Sequence, residues 1–295
     1  MEMTSLLGKE LIKDLHRAAQ LIRNARALII TSGAGIGVDS GLPDFRGPGG
    51  FWNAFPSLKK DGIHLSSMSN PQWFDSDPEF AWGFFGYRYN LYSQTWPHPG
   101  FSILHKWANR MAFGYFVYTS NVDGQFQKAG FDPDSICECH GSINYLQCTD
   151  PSISSQIWEV PEGTIYSIDV ETLRANPPLP MGPPGRENDL ARPNILMFSD
   201  WGWVSDRTDK QNRRFESFRR SLLRKKGVPF VVIEIGAGFG VPTVRMTSEM
   251  LVEESNENEG TLIRINPIDD DTPKGHISLK LKALEALQEI DKLMT

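Results

Sequence analysis

Cysteine is scarce: three in 295 residues cannot build a disulfide framework. Apolar runs are short, none long enough to cross a bilayer, so no membrane partner is expected. Positive charge is not in excess either. Thirty Lys and Arg stand against 36 Asp and Glu, a formal net charge of -6, which leaves no electrostatic footprint for nucleic acid. Basic clusters at Arg213-Arg214, Arg219-Arg220 and Arg224-Lys225-Lys226 interleave with Phe215, Phe218 and Leu222, and read as the solvated face of an amphipathic helix. No basic-then-apolar segment with a small-residue cleavage site opens the chain. Leu11, Leu15, Ala18, Leu21 and Ile22 recur at helical spacing and suit a helix packed on a sheet better than a transit peptide, so the expected compartment is cytoplasmic. Repeats and low-complexity tracts are missing. At 40% hydrophobic and 22% charged residues, the composition is that of an ordinary globular chain, long enough for one large domain with an insertion or for two domains.

The stretch from Ala27 to Trp52 organises the rest. Ala27, Leu28, Ile29 and Ile30 form a short apolar run followed at once by Thr31, Ser32, Gly33, Ala34, Gly35, Ile36 and Gly37. This is the pattern of a buried strand entering a glycine turn. Such glycines let the backbone approach a phosphate, and a helix starting near Gly35 would offer free N–H groups and a positive dipole end to a pyrophosphate. A GxGxxG fingerprint would need Gly or Ala at position 38, where Val38 stands, so the GxG alone leaves a merely tight turn as an alternative. The continuation Ser40-Gly41-Leu42-Pro43-Asp44-Phe45-Arg46-Gly47 is poor helix material and suits a flap over a bound cofactor.

The string GAGIGVDSGLPDFRG resembles the nucleotide-binding signature of the sirtuins, the Sir2 family of NAD-dependent protein deacylases. The resemblance implies NAD as cofactor, contacted by Gly33, Ala34, Gly35, Asp44, Phe45 and Arg46. It continues in chain order. Thr119-Ser120-Asn121-Val122-Asp123 is similar to the family's TQNID, with Ser120 replacing the glutamine, and implies that Asn121, Val122 and Asp123 meet the cofactor. A lone histidine is usually structural, but Glu138-Cys139-His140-Gly141-Ser142 resembles the family's catalytic H-G motif. By that resemblance His140 is the general base and Asn121 acts beside it; an unperturbed imidazole pKa of about 6.5 suits such a role. The turn Gly236-Ala237-Gly238 stands where the family has GTS, and Asn266 where an asparagine meets the adenosine ribose. Phe198, Ser199, Asp200 and Trp201 follow a strand similar to the family's RPxVVxFGE. There an acylated peptide adds as an extra strand, and the tryptophan is read as a wall of its cleft.

The chain departs from the family between 146 and 193. Two CxxC pairs usually hold a structural zinc there, whereas this sequence keeps only Cys148, so no structural zinc is expected. It reads as a divergent, bacterial-type member lacking the zinc-binding cysteines. The implied fold is α/β, a doubly wound, mostly parallel Rossmann-like sheet in a large domain (1–48, 96–145 and 190–295). A small domain (49–95 and 146–189) combines an aromatic helical module with the remnant of the zinc module. Its aromatics read first as core and, by resemblance, as a channel for the acyl-lysine. Asp77-Pro78-Glu79 marks a helix start. The final helix is expected from about Ile277 to Met294. The implied activity is lysine deacylation of a protein or peptide, releasing nicotinamide and O-acyl-ADP-ribose; the alternative is an NAD glycohydrolase or ADP-ribosyltransferase on the same fold. Some sirtuins that accept acidic acyl chains carry Y-x-x-R in the small domain. Phe85-Gly86-Tyr87-Arg88 keeps the arginine and loses the first tyrosine; an Arg88 facing the channel could pair with a carboxylate, but a solvent-facing Arg88 is read at least as readily, and little desuccinylase activity is expected.

Overall fold

The computed structural model describes residues 2–44, 50–60, 62–183, 185–255 and 260–294. Among them run eleven strands: β1 (Ala27–Ser32), β2 (Tyr115–Thr119), β3 (Ile136–Glu138), β4 (Gly141–Cys148), β5 (Ile157–Glu159), β6 (Ile168–Asp169), β7 (Arg174–Ala175), β8 (Ala191–Ile195), β9 (Phe230–Ile235), β10 (Thr261–Ile265) and β11 (Ile277–Leu279). Six form one sheet in the order β11-β10-β9-β1-β2-β3, every pair parallel. The chain leaves β1 in one direction to β2 and β3, then returns to its other side for β9, β10 and β11. That reversal makes the carboxyl ends of β1 and β9 a topological switch point, where open α/β sheets bind ligands.

β1 and β9 are buried at every position, as their unbroken apolar runs require of strands covered on both faces. Helices Glu2–Asn24, Pro99–Ala108 and Ala283–Met294 cover one face, contributing Leu15, Ile22, Trp107 and Leu287. Asp206–Arg224 and Thr243–Glu253 cover the other through Phe215, Leu222 and Leu251. The last helix therefore begins six residues later than the leucine spacing indicated. Ile277 and Leu279 are fully buried with half-buried Ser278 between them, a period of two that places them as an edge strand beside Ile263 and Ile265.

A second core holds Phe55, Phe74, Trp82, Phe84 and Phe85, packed against Ile143, Leu146, Ala191 and Ile195. Fully burying each such apolar side chain contributes about 1.5–3 kcal/mol. The central helix, Pro78–Gln94, starts as its sequence indicates: Asp77 Oδ1 accepts from Phe80 N at 3.3 Å with Pro78 in the first turn. Arg174 of β7 grips the same carboxylate at 2.8 and 2.6 Å and holds its pKa below the usual carboxylate range. At the other end, Lys128 Nζ donates to the carbonyls of Tyr92, Ser93 and Thr95 at 2.6, 2.8 and 3.0 Å, tying this helix to the main sheet's side of the molecule. The second sheet is antiparallel, β5-β4-β8, with a separate β6/β7 hairpin. The expected domain boundary at 145 falls within β4, and that at 190 at the start of β8.

Candidate active site

Two glycine turns interlock at the switch point. After β1 the chain forms a 3₁₀ helix, Ala34–Ser40, where the sequence suggested an α-helical N-terminus. Gly35 N donates to Gly236 O at 3.0 Å and Gly33 N to Ile235 O at 3.0 Å, so these N–H groups serve the second turn rather than a phosphate. A Cβ on Gly33 would lie 2.7 Å from Gly236 O, and one on Gly35 2.6 Å from Gly236 Cα; Gly236 itself has φ 63°. The first glycines are thus explained by close backbone packing. Gly236 N is held by Ile265 O at 3.0 Å. Asn266 donates through Nδ2 to Ala237 O at 2.9 Å and accepts at Oδ1 from Ile268 N and Asp269 N, both at 3.0 Å. The amide of Asn266 is therefore engaged in shaping the loop. Gly238 and Ala237 lie outside the cleft lining, and a Cβ on Gly238 would sit 3.0 Å from Asp269 Oδ2.

In front of the turns opens a cleft of about 240 Å³. Ala34 and Asp44 come to it from the first turn, Ser120, Asn121, Val122 and Asp123 from the end of β2, and His140 from the end of β3. The sheet order places these distant motifs side by side. Asn121 is fixed at both ends: Nδ2 donates to Gly33 O at 3.0 Å and its backbone N to Thr119 Oγ1 at 3.1 Å. The half-buried His140 is anchored by Leu196 N, which donates to its carbonyl at 3.0 Å. Asp123 Oδ1 accepts from Gln125 N at 3.0 Å. Burial pushes the Asp123 carboxyl up to about 6, with Glu138 adding to the rise and Arg88 and Lys128 opposing it. Phe45 and Arg46 lie outside the described residues.

The stretch 198–201 divides. Phe198 lines the cleft; Ser199, Asp200 and Trp201 do not. Asp200 turns inward because Arg192, itself 1% exposed, needs a counter-charge: both guanidinium arms reach its buried carboxylate, which also accepts from Met197 N at 3.2 Å and Gly202 N at 3.1 Å. Ser199 adopts a left-handed φ of 56°, and Trp201 projects into solvent, so the expected wall is not built from that indole. The backbone donors of 196–198 are all engaged inside the chain, since Phe198 N donates to Ser69 O at 2.9 Å. Strand addition by a peptide at Phe198 therefore requires that bond to open.

Three cleft residues stand outside the expected contact set, although the sequence reading left the direction of Arg88 open and noted Ser120 as a replacement. Arg88, 9% exposed, faces the cleft and not solvent; its Nε donates to Tyr92 Oη at 3.2 Å and its guanidinium stacks near the rings of Phe84, Phe85 and Tyr92. Tyr92, one turn further on, brings a hydroxyl to the cleft, and the i, i+4 spacing was the available signal. Ser120, 4% exposed, has a buried Oγ without a hydrogen-bond partner among the described residues. Buried hydroxyls in proteins find partners, so an orphan on a cleft wall fits a site that awaits a polar ligand. Together with the polar groups of Asn121, Asp123 and His140, it makes the cleft chemically suited to the sugar and amide of NAD. Among the described residues no cluster of three or more His, Cys, Asp or Glu is placed to hold a metal. Cys148 is buried, and Cys137 Sγ donates to Asn212 Oδ1 at 3.0 Å.

The Sir2 family model matches residues 33–200. The chain is 26% identical over 268 residues to an NAD-dependent protein deacylase of Aquifex aeolicus, covering 89% of this chain and 93% of that one. With an NAD-dependent protein deacylase of Deinococcus radiodurans it shares 27% over 279 residues, 93% and 97% of the two. Its fold superposes on the crystal structure of a Sir2 homologue in complex with NAD at a TM-score of 0.65 and 23% identity, over 95% and 94% of the chains. With more than half its length matched, and with the family's motifs meeting at one cleft, the chain belongs to the Sir2 family.

Proposed function

We propose that this protein is an NAD-dependent protein lysine deacylase that releases nicotinamide and O-acyl-ADP-ribose. The observation that carries the reading is the convergence of Asn121, Asp123 and His140, from the ends of two adjacent strands, on one cleft beside the first glycine turn. NAD bound there would supply a labile nicotinamide–ribose bond and the sugar hydroxyls that take the acyl group. The chain's own groups do the rest. Ala34, Asp44 and Ser120 hold the cofactor. Asn121, locked onto Gly33 O, orients its amide toward the nicotinamide end, and Asp123, its carboxyl pushed up to about 6 by burial, stands beside it as a hydrogen-bonding group. His140 accepts a proton at a ring nitrogen from a sugar hydroxyl, a role worth about 10²–10⁴-fold. Leu42, Val122, Met197 and Phe198 line the cleft with apolar surface and exclude the water that would otherwise take the acyl oxygen's place.

A second reading, NAD glycohydrolase or ADP-ribosyltransferase, is favoured by the Phe198–Ser69 bond, which occupies a backbone donor that a peptide strand would use. One experiment separates the readings: pure protein is incubated with NAD, with and without an acyl-lysine peptide, and nicotinamide is measured. Release that depends on peptide, and that falls at least a hundredfold in His140→Ala, supports deacylation. Equal release without peptide supports the second reading and overturns the first.

A further inference from the structure

Among the described large apolar side chains Trp201 is the most exposed, at 99%, yet the residues on either side of it are held. Before it, Ser199 holds a left-handed conformation that L side chains rarely adopt, and Asp200 is buried in the grip of Arg192, Met197 N and Gly202 N. After it, Gln147 Nε2 donates to Gly202 O at 2.8 Å, and Gln147 Oε1 accepts from Val204 N at 3.1 Å. Asn194 Nδ2 closes the set by donating to Val204 O at 2.8 Å. Asp200 and Gly202, the two neighbours of the indole, are tied through Arg192 and Gln147 to the β4–β8 sheet while the indole itself stands in water. Backbone strain held by an over-determined surrounding points to a use for what it displays.

We propose that Trp201 is a docking platform for the substrate, on which a Lys or Arg flanking the acyl-lysine lies across the indole face. The inference rests on the deacylase reading of the cleft. Continuity with the cleft supplies the first argument: Phe198 lines its mouth three residues earlier, so an extended chain leaving the cleft, at about 3.3 Å per residue, meets the turn within a few residues. Charge supplies the second. The turn carrying the exposed Asp150 packs on Gly202 through Pro151, and Asp206 opens the helix that follows. Arg192 is turned inward onto Asp200 and Arg207 onto Glu138 and the Tyr145 ring, while the exposed Lys210 stands one helical turn beyond Asp206. A cation from outside therefore meets the exposed Asp150 on the turn beside Gly202 and the best aromatic face for cation–π contact. Because the turn is already fixed, little freedom is lost on binding.

The test uses the full chain and fluorescein-labelled peptides carrying one acetyl-lysine flanked by Arg or, in a matched peptide, by Glu. Binding is read by anisotropy and turnover by nicotinamide release. The wild type binds the Arg peptide more tightly, and Trp201→Ala weakens that peptide about five- to twentyfold in both Kd and KM while moving the Glu peptide far less. Trp201→Phe recovers most of the loss. Equal binding of the Arg peptide by wild type and Trp201→Ala, or an equal loss for both peptides, overturns the platform. Anisotropy needs no turnover, so the two readings fail separately: discrimination without nicotinamide release sinks the deacylase reading alone, and release without discrimination sinks the platform alone.

Discussion

Replacing Asp200 by alanine isolates the energetic role of the buried pair beneath the Trp201 turn. Arg192 and Asp200 are 1% and 0% exposed, so removing the carboxylate leaves a guanidinium without its counter-charge in a site closed to water. Breaking a buried pair from one side costs about 3–5 kcal/mol. At about 2.1 cal/mol/K of unfolding entropy per residue, a chain of this length loses about 1.6 °C per kcal/mol, and calorimetry should show Tm falling by about 5–8 °C. The companion variant is Arg192→Leu with Asp200→Leu. Arg192 Nε already lacks a partner among the described residues, so the pair is imperfectly satisfied, and removing both charges recovers part of the lost Tm. The turn, however, has lost its clamp on Met197 N and Gly202 N, so peptide affinity stays weakened in a folded protein. A Tm for Asp200→Ala within 1 °C of wild type, taking about 1.6 °C per kcal/mol, refutes the reasoning, as does a double variant that melts below the single one.

Arg88 sits in the cleft beside the Tyr92 hydroxyl, which removes one of the two grounds for expecting little desuccinylase activity. Succinyl-peptide turnover should be measurable, and Arg88→Met should lower the succinyl-to-acetyl ratio of kcat/KM about tenfold or more, the worth of a charge-assisted hydrogen bond; an unchanged ratio counts against the assignment. Asp123 has its pKa raised to about 6, so the folded state favours the protonated form: its contribution to stability is full below the unfolded value near 3.8 and is lost as pH rises through about 6. Asp123→Asn should therefore gain on wild type in Tm at pH 8 relative to pH 5, readable in parallel melts. His98 has the opposite sign, because burial lowers its pKa while Nε2 meets Ile36 O at 2.9 Å and Nδ1 accepts from Gly100 N at 3.0 Å. Its contribution is present above the unfolded value of about 6.5 and lost as pH falls below it, so a His98→Asn variant should show a shallower acid-side loss of Tm than wild type.

The sheet was legible from its apolar runs, and the cleft residues from the resemblance of their motifs, each of which lies where a strand ends: Ala34 after β1, Asn121 after β2, His140 after β3. In a parallel sheet, sequence position at a strand's carboxyl end is already spatial position. Arg88 was not legible. Its helix is buried nearly all round, at Ala81, Trp82, Phe84, Phe85, Tyr89 and Tyr92, so helical periodicity carries no signal about which way a polar residue points. Asp200 was misread because an acid in a loop looks the same whether it meets solvent or a buried arginine; only the arrival of Arg192 from β8 decides. The β11 strand was hidden by Leu279, Leu281, Leu284 and Leu287, whose spacing continues the helical stripe that begins at Ala283. The orphan hydroxyl of Ser120 exists only as a property of packing.

The placement of β1 at the centre of its sheet has a consequence for biogenesis. β1 leaves the ribosome well before its partner on one side, β9, which begins at Phe230, about 200 residues later. At about 5–20 residues per second, Ala27–Ser32 waits some 10–40 s with an apolar ladder edge unoccupied. That edge is a template for any other nascent strand, so truncations ending before Phe230 should accumulate as aggregates, and yield of the whole chain should rise with slower expression or added chaperone.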